Sequence, residues 1–162
     1  MDAFIIPFAI SFGPPQCGWL PIELELDDHF YSFKASEILN NPIAEFLFAA
    51  RNILDGCDSA SVINLWREPG WHSLILETAA DGSTVYISLL WNQDANLANP
   101  EACYESTATA VDVVRAIVAA LEKLISETGC EAHEAHSGWN SPYPYPTTEM
   151  AEIREMLTKR LL

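Results

Sequence analysis

The sequence predicts an α+β fold with a mostly antiparallel sheet, packed by about three helices, in a single domain over residues 1–162. Three observations point there. The stretch from Val62 to Trp91 carries period-two alternation of apolar and polar residues in three runs separated by turn residues. Apolar stripes at helical spacing recur near residues 43–54, 111–125 and 153–161. Hairpins with helices between them favour antiparallel pairing over a parallel sheet of βαβ units.

In chain order, Ala3–Phe12 is rich in Phe and Ile and reads as a buried strand, bent or ended around Pro7. Gly13-Pro14-Pro15 is a loop signal. In Trp19–Asp28, Ile22, Leu24 and Leu26 alternate with Glu23, Glu25 and Asp27. A strand here buries the leucine face and displays a row of carboxylates, which Asp28 extends into a turn. Phe30, Tyr31 and Phe33 mark a short following strand, pairing as a hairpin through Asp27–His29. Asn41 and Pro42 suit the cap and first position of a helix, because proline's missing N–H is not needed there. Ile43, Phe46, Leu47, Ala50, Ile53 and Leu54 form its stripe, and Gly56 stops it.

The central meander comes next: Val62–Arg67, Trp71–Thr78 and Thr84–Trp91. Glu68-Pro69-Gly70 and Asp81-Gly82 are its turns, and Asp-Gly tolerates the positive φ that tight hairpins need. Gly70 and Gly82 both read as turn glycines. Asn92–Glu105 is polar and interrupted by Pro100, so it reads as a long loop in which Cys103–Ser106 could form a short extra strand. Thr109-x-x-Asp112 resembles a capping box. Behind it Val111, Val114, Val118, Leu121 and Ile125 define a long helix ending at Gly129. Cys130–Trp139 fits an edge strand. Pro142, Pro144 and Pro146 impose an extended stretch. Thr147 or Thr148 caps a last helix, with Glu149 and Glu152 at its start and Lys159 and Arg160 at its end, in accord with the helix dipole.

Charge is the strongest global fact. Eight Lys/Arg face twenty-three Asp/Glu, a formal net charge of −15. That field opposes binding to a phosphate backbone or an anionic membrane, and it attracts a basic protein. Acidity that serves solubility alone is the competing reading. The longest apolar run is too short to span a bilayer. The first residues, MDAFIIPFAISFG, have no basic region ahead of their apolar stretch, so a secretory signal is not expected and the chain is read as cytoplasmic. Cysteines 17, 57, 103 and 130 form no CxxC pair and are expected to be reduced, mostly buried thiols.

No catalytic signature is present: there is no GxSxG elbow, P-loop or GxGxxG. No cofactor is expected. Cys130, His133, Glu134 and His136 have metal-binding side chains, but on a strand His133 and His136 would point to opposite faces. No metal site is therefore assigned. The five tryptophans are numerous for this length, and Trp is enriched at interface hot spots as well as in cores. Trp91 follows the core phase of its strand. Trp66 and Trp71 flank the Glu-Pro-Gly turn, and Trp139 opens an aromatic, proline-rich loop.

Several features together carry a resemblance. They are Asn41-Pro42 with a helix ending near Gly56, a strand closing on Trp66-Arg67-Glu68-Pro69, and the hairpin through Asp81-Gly82. A long helix ending at Gly129 and the Trp139…Tyr145-Pro146 loop before a terminal helix complete them. This order resembles that of small bacterial immunity proteins from contact-dependent and polymorphic toxin systems. The resemblance implies inhibition by binding: such a protein occludes a toxin domain, commonly a nuclease with a basic cleft. It carries no binding residues over to this chain. Charge and aromaticity select Glu23, Glu25, Asp27 and Asp28 as the expected partner surface, with Trp66, Trp71 and Trp139 as further anchors. Two other classes stay open: a small metal-dependent or hydrolytic enzyme using His133–His136, and an interaction protein that homodimerises through an edge strand.

Overall fold

Alternating apolar residues produce seven strands among the described residues of the computed structural model, which are 6–15, 18–36, 40–56, 60–67, 70–93, 100–128 and 147–161. The strands are β1 (Ile6–Phe12), β2 (Trp19–Asp27), β3 (His29–Ser36), β4 (Ala60–Arg67), β5 (Gly70–Thr78), β6 (Thr84–Asn92) and β7 (Glu101–Thr109). Among the described residues three helices join them: α1 (Pro42–Asp55), α2 (Ala110–Thr128) and α3 (Thr147–Leu161). The antiparallel strands divide into two sheets, ordered β1-β2-β3 and β4-β5-β6-β7. The fold is α+β, as the alternation and the helical stripes predict.

In the first sheet, Leu20, Ile22, Leu24 and Leu26 of β2 are all at most 2% exposed. Burying each such side chain stabilises the fold by about 1.5–3 kcal/mol. β1 runs unbroken through Pro7, but its pairing with β2 shifts register between Ile6 and Ala9. That is the bend expected where proline cannot donate to the ladder. β2 and β3 close as a two-residue hairpin with Leu26 opposite His29. Asp27 adopts φ 55° to make the turn, a conformation Asp tolerates better than most residues.

The four-stranded sheet contains the central meander. Its inner face buries Ile63, Leu65, Leu74, Leu76, Ile87 and Leu89. Gly82 supplies φ 72° at the β5–β6 turn, where the Asp81 side chain accepts from the Ser83 N–H at 2.9 Å. This bond is the first cause holding the Asp81 carboxyl below its ordinary value. Gly70 turns out to be more than a turn residue. A Cβ there would lie 2.2 Å from the Asn92 carbonyl oxygen and 2.9 Å from the Trp91 ring, so it is a close-approach glycine at the start of β5.

The largest correction concerns residues 92–105. The expected loop ends by Pro100, and Glu101–Thr109 is a nine-residue strand paired with β6. The register slips between Leu89 and Leu90, whose partners Tyr104 and Ala102 leave Cys103 as the bulged residue. The bulge and the flanking Glu101 and Glu105 obscure the period-two signal, and they also protect this edge against pairing with another chain.

Helix α1 begins as read: Asn41 accepts from the Ala44 N–H at 3.2 Å, and Gly56, at φ 69°, returns its N–H to the carbonyls of Asn52 and Ile53. For α2, Thr109 Oγ1 accepts from the Asp112 N–H at 3.2 Å, while the Asp112 carboxylate pairs with Arg115 at 3.6 Å. Helix α3 buries Met150, Ile153 and Leu157 against α1 and α2. Its Arg160 fastens three backbone carbonyls, those of Ile53 (3.0 Å) and Leu54 (3.2 Å) in α1 and Gly82 (2.6 Å) in the hairpin turn. These include C-terminal carbonyls of α1, which lack partners within the helix.

One apolar core joins both sheets and all three helices. Phe12 meets Phe46 edge-on at 5.4 Å. Across the sheets, Phe33 of β3 packs on His72 of β5 at 4.7 Å, and His72 packs on Trp91 at 4.7 Å. No helix among the described residues is long and apolar enough to cross a membrane.

Candidate functional site

The site is built on the face of the three-stranded sheet that points away from the core. Because Leu24 and Leu26 are buried, period two turns Glu23 and Glu25 outward from the central strand. The register sets their neighbours. Glu25 lies between Ala9 and Phe30, and Glu23 lies between Ser11 and Ser32. Small residues beside the carboxylates leave a groove of about 310 Å³. Phe30 stands at its rim with 76% of its surface exposed, the highest value among the exposed large apolar residues. The Ser11 hydroxyl reaches the Glu23 Oε2 at 3.5 Å. Among the described residues the Glu25 side chain makes no hydrogen bond or ion pair.

The other two acidic residues sit at the hairpin tip and have local partners. Tyr104 of β7 donates its hydroxyl to Asp27 Oδ2 at 2.8 Å, linking the two sheets. That hydrogen bond is the first cause raising the Tyr104 phenol above its ordinary value. Asp28 lies 2.9 Å from His29 Nδ1, and the His29 ring stacks on Tyr104 at 4.2 Å. The expected row of four carboxylates therefore divides. Glu23 and Glu25 line the groove, while Asp27 and Asp28 hold the tip and contribute charge at its end. Lys34, opposite Pro21, lies one register step beyond Glu23 and marks the less acidic end.

Trp66 and Trp71 face each other across the β4–β5 ladder, ring centroids 4.6 Å apart at 34°. Both are half-buried, as their position beside the turn suggests, but they belong to the other sheet. The same face carries a hydrogen-bonded chain in which Asn92 donates to Ser73 (3.0 Å) and Ser73 to Asn64 (3.0 Å). At the β4 edge the Asn64 N–H donates to Glu45 at 3.0 Å, and Asn40 donates both to the Asn64 carbonyl (2.7 Å) and to Glu45 (2.8 Å). Burial raises the Glu45 carboxyl above its ordinary value even though both hydrogen bonds favour its charged form. This network holds structure rather than offering a site.

Trp139 and the Cys130, His133, Glu134 and His136 cluster lie outside the described residues. Among the described residues, no three His, Cys, Asp or Glu side chains converge as a metal-binding group. Cys103, expected among buried thiols, is a free thiol on an exposed residue; partial desolvation and then the nearby Glu101 raise its pKa and disfavour the nucleophilic thiolate. Cys17, Cys57 and Cys130 lie outside the described residues.

Phe30 is the site residue that the sequence reading missed. The signal was present: in His29–Ser36, Phe30 alternates in phase with Ser32 and Lys34, so an aromatic ring occupies the polar face of an amphipathic strand. No protein-family model matches the chain, and neither a curated protein nor a solved structure matches it.

Proposed function

We propose that this chain is an immunity protein that binds and neutralises a cognate bacterial toxin domain bearing a basic surface. One observation supports this most directly. Glu23, exposed, and Glu25, half-buried, face outward at the centre of an open sheet face, over a groove rimmed by an uncovered phenylalanine, on a chain of net charge −15. A carboxylate whose hydrogen-bonding capacity is not used internally is available to a cation from outside. The surrounding negative field speeds encounter with a basic protein and disfavours nucleic acid and anionic membranes. If the toxin is a nuclease, the two carboxylates occupy the position of substrate phosphates and block the cleft. The half-buried Trp66–Trp71 pair is a secondary anchor on the other sheet.

The test is capture from the native organism with this protein as bait, at low and high salt, followed by co-expression with whatever toxin is captured. The expected result is a basic toxin domain whose toxicity is suppressed. Its capture should fall at least about tenfold in high salt or on Glu23→Lys with Glu25→Lys, as like charges then face each other. Recovery of the bait alone, as monomer or dimer, would overturn the reading. So would a captured toxin that kills equally with and without this protein.

A further inference from the structure

We infer that the groove on the three-stranded sheet receives one arginine side chain of the partner, its guanidinium held by Glu23 and Glu25 and stacked on Phe30. This rests on the proposed binding function and specifies what the bound surface must present. Exposed carboxylates alone would not single out a ligand. The cavity and the uncovered ring add shape. Ala9, Ser11 and Ser32 are short enough to leave about 310 Å³ between β1 and β3, room for a single long side chain. Phe30 lies directly opposite Glu25, so an aromatic face and a carboxylate border the same space. With 76% of its surface exposed, Phe30 retains most of its apolar area for a partner to cover.

Arginine fits this combination better than lysine. Its planar fork can bond carboxylates in a bidentate manner, and its weakly hydrated face stacks on an aromatic ring. A lysine ammonium is a compact, strongly hydrated charge that gains less from the ring. A metal ion is a poorer match, because no group of three metal-binding side chains is present among the described residues. Internal competition is slight: the Ser11 hydroxyl reaches Glu23 only at 3.5 Å, Asp27 and Asp28 are engaged with Tyr104 and His29, and the Glu25 side chain makes no hydrogen bond or ion pair among the described residues.

The experiment titrates the isotope-labelled full chain with N-acetyl-arginine amide and, separately, N-acetyl-lysine amide, following backbone amide shifts. Each probe carries one positive charge, so general attraction to an acidic protein is matched. Saturable shifts confined to Ala9, Glu23, Glu25, Phe30 and Ser32 are expected, with arginine bound about threefold or more tighter than lysine. Glu25→Gln should weaken both probes. Phe30→Leu, which keeps apolar bulk, should abolish the preference for arginine, and otherwise unchanged spectra would show that both variants fold. Equal binding of the two probes, or shifts scattered over the acidic surface, would overturn the inference. Toxin capture separates the two proposals. Capture lost on Glu23/Glu25 reversal but unchanged in Phe30→Leu, with no arginine preference, overturns the arginine site and leaves the immunity reading. A selective arginine site on a chain that captures no toxin does the reverse.

Discussion

Glu45 and Glu25 are the same residue put to opposite uses in the two sheets. Glu45 accepts from the Asn64 backbone and the Asn40 side chain, satisfying the β4 edge of the four-stranded sheet. Beyond it, Asn64, Ser73 and Asn92 satisfy one another across the sheet face. Glu25 stands at the centre of the three-stranded sheet with no such partner among the described residues. The contrast teaches that neither charge nor strand position marks a binding surface. The distribution of hydrogen bonds is more informative: on one sheet Asn64, Ser73 and Asn92 satisfy one another, and on the other the Glu25 side chain has no partner among the described residues.

The contrast breaks most easily at Glu45. Glu45→Ala removes the acceptor from the Asn64 N–H and leaves an edge amide unpaired, which costs about 1–3 kcal/mol. Chemical denaturation should show a lower midpoint, whereas partner capture by the folded fraction should be unchanged. A Glu45→Ala variant as stable as the parent would remove the distinction between the two carboxylates.

His72 gives a smaller and pH-dependent effect. Its ring is wedged between Phe33 and Trp91, and its Nδ1 is buried without a hydrogen-bond partner among the described residues. Burial, and then the Arg67 charge, hold its basicity below the ordinary 6.5. The unfolded chain therefore binds this proton more readily than the folded one. The stabilisation is present above pH 6.5 and is lost as the pH falls through the lower folded value. Comparing unfolding free energies of the parent and His72→Leu from pH 7.5 downward should show the parent losing more stability with acid. Parallel profiles would mean that His72 does not couple the sheets through its neutral form.

Much of this division was legible in the residues. Caps and stripes identified the helices, because Asn41, Pro42, Gly56 and Thr109 act locally and need no knowledge of distant neighbours. Alternation identified the meander and the acidic face of β2 for the same reason. β7 was obscured because a bulge at Cys103 shifts the period in mid-strand. The separate fates of Glu23, Glu25, Asp27 and Asp28 could not be read either. Asp27 is held by Tyr104, seventy-seven residues further along on the other sheet, and Glu23 and Glu25 by the register of β1 and β3 beside them. By position Glu45 is a first-turn helix carboxylate, and its bond to the Asn64 N–H depends on β4 lying beside α1. Phe30 differs from these cases, since its misplaced phase was readable in the strand itself.

The smallest effect on stability is expected where the effect on binding is largest. Glu23→Gln with Glu25→Gln keeps shape and removes two negative charges from a chain that carries an excess of fifteen. If these carboxylates contributed to the fold, their loss would lower the denaturation midpoint. Neither belongs to the internal networks, and the Ser11 contact to Glu23 is long at 3.5 Å. Stability should therefore stay within about 0.5 kcal/mol of the parent. Any change should be a gain, because neutralising part of a one-signed field relieves self-repulsion. Repeating the measurement in high salt supplies the control: a gain of electrostatic origin should shrink as counterions screen the parent's charges. A loss of more than about 1 kcal/mol would place the two glutamates with Glu45 as structural residues, since surface substitutions away from special features do not carry that cost. An unchanged or slightly raised midpoint, together with lost capture, would mean that this sheet face is maintained for a partner rather than for the fold.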